Sequence, residues 1–146
     1  MALPVIHTAH LLRETDRHLV DLLGSLEPRE WEMPSIVPGW AVRDIAAHLL
    51  DTALRKLSML RDHWFVERVE IRCAQDVVDL VNRLNREGVA VYRRLSPALL
   101  LEMMASACEQ SADLVEVNVT GEQKPVRWKY GDPLPIALHR NRAADS

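Results

Sequence analysis

The sequence predicts an all-α domain, a four-helix bundle with a short β-hairpin near residues 115–130 and a truncated last helix. Three observations support this fold class. Apolar residues recur at the helical period in four long segments, short connections join these segments, and 48% of the 146 residues are hydrophobic. No internal repeat or long linker divides the chain, so residues 1–146 are predicted to form a single domain.

Two amphipathic segments come first. Residues 4–26 are predicted to form the first helix and residues 41–62 the second, because each carries an apolar stripe opposite a polar face. The stripes consist of Val5, Leu12, Leu19, Leu23 and Leu26 in the first helix, and of Val42, Ile45, Ala46, Leu49, Ala53, Leu57 and Leu60 in the second.

Two further helices follow. The third covers residues 75–95, where Gly88 lies on the apolar side and permits a close approach to a neighbour. The fourth begins at Ser96-Pro97, an N-cap followed by proline at the first helical position, and runs to about residue 115. Their apolar sides are Val77, Leu80, Val81, Leu84, Val91 and Leu95, and then Leu100, Met104, Ala107, Leu114 and Val115.

The pattern changes after this fourth helix. Residues 115–119 alternate between valine and polar side chains, residues 120–122 offer a turn, and the segment PVRWKY alternates again. This pattern predicts the hairpin. After Pro135 the sequence IALHRNRAADS is enough for a helix of about two or three turns, which is short for the closing helix of a bundle.

Composition and charge exclude several classes of protein. A net charge of -3 and scattered arginines give no electrostatic footprint for nucleic acid. No apolar stretch approaches the roughly 20 residues of a membrane span, and no secretory signal is recognisable, so a cytoplasmic protein that contacts no membrane is expected. Cys73 and Cys108 lack metal-type spacing and have apolar neighbours, which predicts buried free thiols.

The segment WEMPSIVPGWAVRDIAAHLLD, residues 31–51, contains the candidate site. Its prolines restrict the backbone, and Trp31 and Trp40 are predicted to form a rigid wall over one end of the core. Asp44, His48 and Asp51 follow at i, i+4 and i+7 and share a face at the rim of the apolar stripe. Spacing alone leaves two interpretations open: a partly exposed histidine hydrogen-bonded to an aspartate, or a ligand.

The longer segment LEPREWEMPSIVPGWAVRDIAAHLLD resembles L-x-P-x-x-W-x-x-P-(S/T)-x-x-P-G-W-(S/T)-V-R-D-x-x-A-H-L of the DinB-like superfamily. In particular, it is similar to the N-terminal metal-binding domain of mycothiol-dependent maleylpyruvate isomerases. The resemblance implies a four-helix bundle in which His48 and two ligands from the last long helix hold a divalent metal such as zinc or nickel. It further implies that Asp44 or Asp51 orients the imidazole and that Trp31 and Trp40 wall the pocket.

The sequence departs from the family pattern after Asp132. The two further ligands, usually His or Glu four residues apart, belong after the predicted hairpin. The remaining histidine there is His139, and the residues four positions before and after it are Pro135 and Ala143. A catalytic zinc normally takes three protein ligands. His48 with His139 as a weak second ligand therefore predicts low affinity and a metal-free chain, and truncation and divergence both account for the departure.

Two classes of function remain open. In the first, the resemblance implies an enzyme whose metal activates a low-molecular-weight thiol, in an isomerase or S-transferase reaction. In the second, the chain is a non-catalytic bundle that binds a small molecule or dimerises after losing the metal. A short closing helix leaves apolar faces uncovered, so a homodimer is expected in both cases.

Overall fold

A computed structural model describes residues 8–64 and 69–120. The described residues fold into five α-helices, and the all-α prediction is confirmed. None of the described helices is long and apolar enough to cross a membrane. The helices are α1 (Ala9–Ser25), α2 (Pro28–Trp31), α3 (Val42–Lys56), α4 (Ala74–Tyr92) and α5 (Pro97–Thr120), with a π-helical turn at Leu57–Arg61 after α3.

The helices pack in the order α1, α5, α3, α4. α5 lies between α1 and α3, and α4 packs mainly against the other side of α3. α3 therefore has two packed faces, one towards α5 and one towards α4. The main core forms where α1, α3 and α5 meet, and it contains Leu23, Trp31, Ala46, Ala47, Leu50, Ala53, Leu100, Met104, Ala107 and Cys108.

The connection between α1 and α3 is ordered by local hydrogen bonds. It contains the short helix α2, which the sequence pattern did not predict, and the Glu30 carboxylate accepts the N–H of Glu27 at its start (2.7 Å). Further along, the N–H of Ser35 donates to the carbonyl of Trp40 (2.8 Å). Gly39 has φ 79°, a backbone conformation that favours glycine. These hydrogen bonds fix the path of the connection locally, and the rigid wall predicted for it remains a prediction.

The predicted hairpin is wrong where the structure describes it. α5 continues to Thr120, so residues 115–120 are helical rather than a first strand. The Ser96 hydroxyl accepts the N–H of Leu99 (3.2 Å), which confirms the predicted N-cap. Propagation of a well-started helix outweighs the weak strand preference of three valines. The rest of the hairpin and the predicted last helix lie outside the described residues.

The two cysteines have different environments. Cys108 lies in the core as a free thiol, as predicted, and burial raises the pKa of its thiol to about 11. Cys73 is also a free thiol, but it is exposed, so the prediction of burial is wrong there. Cys73 precedes the first residue of α4, before the apolar face of that helix begins.

Candidate functional site

His48 lies on α3 beside the indole of Trp40. The ring centroids are 5.5 Å apart and the ring planes are inclined at 51°. Nδ1 of His48 is buried and has no hydrogen-bond partner in the part of the chain that the structure describes. The side chain therefore lies next to an aromatic ring, and its buried Nδ1 makes no hydrogen bond with the described residues.

Asp51 lies three residues after His48 and faces α4. Its carboxylate accepts a hydrogen bond from Nε of Arg55 (2.8 Å), and Arg55 also donates to the side chain of Asn85 on α4 (2.9 Å). Gly88 of α4 lies against this carboxylate, because a Cβ added there would be 2.8 Å from Oδ1 of Asp51 and closer still to its Cγ and Oδ2. The close approach predicted for Gly88 is confirmed.

Asp44 is buried at the start of α3, with 4% of its surface exposed. Its carboxylate accepts the N–H of Ala41 (3.0 Å) and forms a two-point ion pair with Arg93, which follows α4. Asp44 and Asp51 thus share a face with His48, as the spacing predicts, but neither carboxylate bonds Nδ1 of His48. Their assignment as residues that orient the imidazole remains a prediction.

The surroundings of His48 favour its neutral form. Burial lowers the pKa of His48 below the ordinary histidine value of 6.5, the positive charge of Arg55 lowers it further, and Asp51 opposes both effects. On α4, burial raises the pKa of Tyr92, and the negative charge of Asp51 raises it further. A neutral imidazole has a free lone pair, so His48 can act as a metal ligand or hydrogen-bond acceptor near neutral pH.

This pKa shift predicts a pH dependence of stability. Because the pKa of His48 is lower in the folded state, the unfolded state binds more protons as the pH falls below 6.5. The contribution of His48 to the free energy of unfolding is therefore present above that pH and lost as the pH falls through the folded-state pKa.

The test compares metal-free wild type with the His48→Gln variant by chemical unfolding between about pH 8 and about pH 5. We expect wild type to lose more stability than the variant over the acidic part of this range. Equal losses of stability in the two proteins, or a His48 pKa at or above 6.5 in an NMR titration, would contradict the lowered pKa of His48.

The other residues predicted for the site are Trp31, Trp40 and His139, and the two tryptophans lie in different surroundings. Trp31 is a core residue of α2 with 4% of its surface exposed, whereas Trp40 is the tryptophan next to His48. His139 lies outside the described residues. Within the ranges 8–64 and 69–120, no group of three His, Cys, Asp or Glu side chains is placed to hold a metal ion. His48 therefore does not belong to a group of three possible ligands among these residues.

Sequence reasoning missed three polar residues that bond Asp44, Asp51 or their partners, one on α3 and two on or just after α4. Arg55, Asn85 and Arg93 were not singled out, although Arg55 lies four residues after Asp51, a spacing typical of a helical ion pair. Asn85 and Arg93 carry no comparable signal, because their partners are 30 or more residues away along the chain. Only the packing of α4 on α3 brings them together.

Comparison with known proteins identifies the family. Neither the comparison with curated proteins nor the comparison with solved structures found a match. The family model described as the mycothiol maleylpyruvate isomerase N-terminal domain matches residues 12–145, a range that contains His48 and most of the chain. The resemblance seen in the sequence is confirmed, and the chain belongs to the mycothiol maleylpyruvate isomerase N-terminal domain family.

Proposed function

We propose that this domain is a divalent-metal-binding relative of thiol-dependent isomerases and S-transferases, with His48 as one metal ligand. The observation that carries the proposal is the state of His48: a neutral imidazole beside Trp40 whose Nδ1 has no hydrogen-bond partner among the described residues. The family match supports the same function, because it relates this chain to an isomerase domain named for mycothiol.

The metal site is incomplete in the described part of the chain. The site supplies the imidazole of His48, and no group of three possible ligands is found among the described residues, whereas a catalytic zinc normally takes three protein ligands and one open position. Further ligands must therefore come from elsewhere, with His139 as the candidate in this chain and a bound thiol or a second molecule as the others. When bound, such a metal lowers the pKa of a thiol that coordinates it.

In this proposal His48 is the ligand, and Trp40 and Arg55 determine its surroundings. His48 stays neutral and available because burial and Arg55 disfavour its protonation. Trp40 lies beside the imidazole, with the ring centroids 5.5 Å apart. Arg55 is itself bonded to Asp51 and Asn85, so its charge acts on His48 from a fixed position.

The proposal predicts zinc binding that requires His48. Isothermal titration of the wild type with zinc, with and without a low-molecular-weight thiol, should give weak binding that strengthens when the thiol is present. His48→Ala should remove that binding. His18→Ala is the matched control, since His18 is an exposed histidine on α1, and it should leave binding unchanged. Equal binding by wild type and His48→Ala would overturn the proposal.

A second candidate function is a dimerisation module, and exposed valines on α4 favour it. Val78, Val81 and Val91 on this helix are 48%, 43% and 54% exposed. Contact with α4 of a second copy would cover these valines.

The dimer is tested by light scattering on the purified protein. We expect a dimer for wild type and a shift to monomer for Val81→Lys, because a buried lysine without a partner opposes association. Ile36→Lys is the matched control. Ile36 is 98% exposed but lies in the loop between α2 and α3, so this variant should remain dimeric. A monomeric wild type, or an equal response of both variants, would exclude this interface.

A further inference from the structure

Two arginines connect the start of α3 to the end of α4. Arg93 donates from Nε to Oδ1 of Asp44 (3.1 Å), and its Nη2 lies 2.9 Å from Oδ2 of the same carboxylate. This two-point geometry fixes both the distance and the orientation of the pair. Arg93 is about half exposed and Asp44 is buried, so the arginine reaches in from the surface to a carboxylate within the fold.

Arg43 makes the reciprocal connection. It lies on α3 next to Asp44, and its Nη2 donates to the carbonyl oxygens of Arg93 and Leu95, the second at 3.3 Å. Its Nη1 donates to the carboxylate of Glu32, which follows α2 (2.8 Å). Carbonyl groups at the C-terminal end of α4 are thus satisfied by a side chain of α3.

The carboxylate of Asp44 also holds the backbone next to Trp40. Oδ2 of Asp44 accepts the N–H of Ala41, the residue that follows Trp40 (3.0 Å). The carbonyl of Trp40 accepts the N–H of Ser35 (2.8 Å), so the backbone is held on both sides of the indole. The centroid of the Trp40 indole lies 5.5 Å from that of the His48 ring. His48 itself is one helical turn after Asp44 on α3. The relative position of the two rings therefore depends on where Asp44 is held.

We propose that Arg93 is a positioning residue for the His48 site: through Asp44 it sets the start of α3 and, with it, the contact between Trp40 and His48. Arg93 lies just after α4 and acts on the site through Asp44. This inference deepens the proposed function, and its consequence for metal binding rests on that function. The geometric part does not, because the contact between the rings involves only residues of this chain.

The test measures that contact in metal-free protein by NMR. In wild type we expect nuclear Overhauser effects between the His48 and Trp40 rings and a ring-current shift of the His48 protons. Arg93→Gln should weaken both signals while the circular dichroism spectrum keeps its helical form. Arg94→Gln is the matched control, because Arg94 is the adjacent exposed arginine, and it should leave both signals unchanged. An unchanged contact in Arg93→Gln, or equal changes in both variants, would overturn the proposal.

A conservative variant keeps the test decisive if Arg93→Gln does not fold. Arg93→Lys keeps the charge but loses the two-point geometry, so it should fold and show an intermediate ring-current shift. A wild-type shift in Arg93→Lys would show that orientation by the guanidinium is not required, which contradicts the proposal. If zinc binds as proposed, Arg93→Gln should also bind it about tenfold more weakly than Arg94→Gln. Absence of zinc binding in wild type would overturn the proposed function alone, since the contact between the rings is measured separately.

Discussion

Gly88→Ala is expected to destabilise the domain by about 3 kcal/mol, although alanine is the better helix former by about 1 kcal/mol. The new methyl group would lie 2.8 Å from Oδ1 of Asp51 and closer still to Cγ and Oδ2. The carboxylate cannot move away freely, because Arg55 holds it and Asn85 holds Arg55. Either α4 moves away from α3 or a buried ion pair breaks. Urea unfolding followed by circular dichroism measures the loss.

Two controls separate this steric effect from helix propensity. Gly24→Ala places a methyl group in α1 at an ordinary 3.5 Å from Leu101, so it should cost nothing or stabilise slightly. In an Asp51→Ala background the contact is removed, and Gly88→Ala should then cost far less than in wild type. If Gly88→Ala lowers the free energy of unfolding equally in the two backgrounds, the new methyl group does not clash with Asp51.

Trp31→Ala should have the other large effect, a loss of about 3–5 kcal/mol in the free energy of unfolding. The indole is 4% exposed and packs in the core with residues of α1, α3 and α5. Removing it leaves a cavity that the four-residue helix α2 cannot fill without losing its own contacts. Chemical unfolding of the purified variant measures the loss.

Trp40→Ala is the matched comparison for this prediction. Trp40 is half-buried and lies against His48, so its removal should cost about 1–2 kcal/mol and should change the NMR signals of His48. Trp31→Ala should leave the His48 signals near their wild-type positions if the variant remains folded. An equal loss of stability in both variants would contradict the conclusion that Trp31 stabilises the core while Trp40 mainly contacts His48.

The helical period predicted most of the fold because α1, α3 and α4 each carry an apolar face, although Val81 and Val91 of the face predicted for α4 are exposed. It placed the start of α5 at Ser96-Pro97 and recognised that Gly88 allows a close approach. It failed at residues 115–120, where alternating valines suggested a strand. An alternating pattern of a few residues is weak evidence when the preceding helix can simply continue.

The candidate site was only partly predictable for a different reason. Spacing placed Asp44, His48 and Asp51 together on a face away from the apolar stripe, which suggested a rim position. α3 in fact has a second packed face, and α4 covers Asp44 and Asp51 there with Gly88 and Arg93. A single helix period cannot show which polar face another helix will cover, because that depends on contacts distant in sequence.

The metal content of the purified protein tests the central claim, that His48 is a metal ligand, most directly. Elemental mass spectrometry would be applied to wild type and His48→Ala, each purified with excess zinc and a low-molecular-weight thiol and then briefly desalted. The account predicts that zinc remains with wild type and is absent from His48→Ala. Equal zinc contents in the two proteins, including none in either, would contradict the claim that His48 binds a metal.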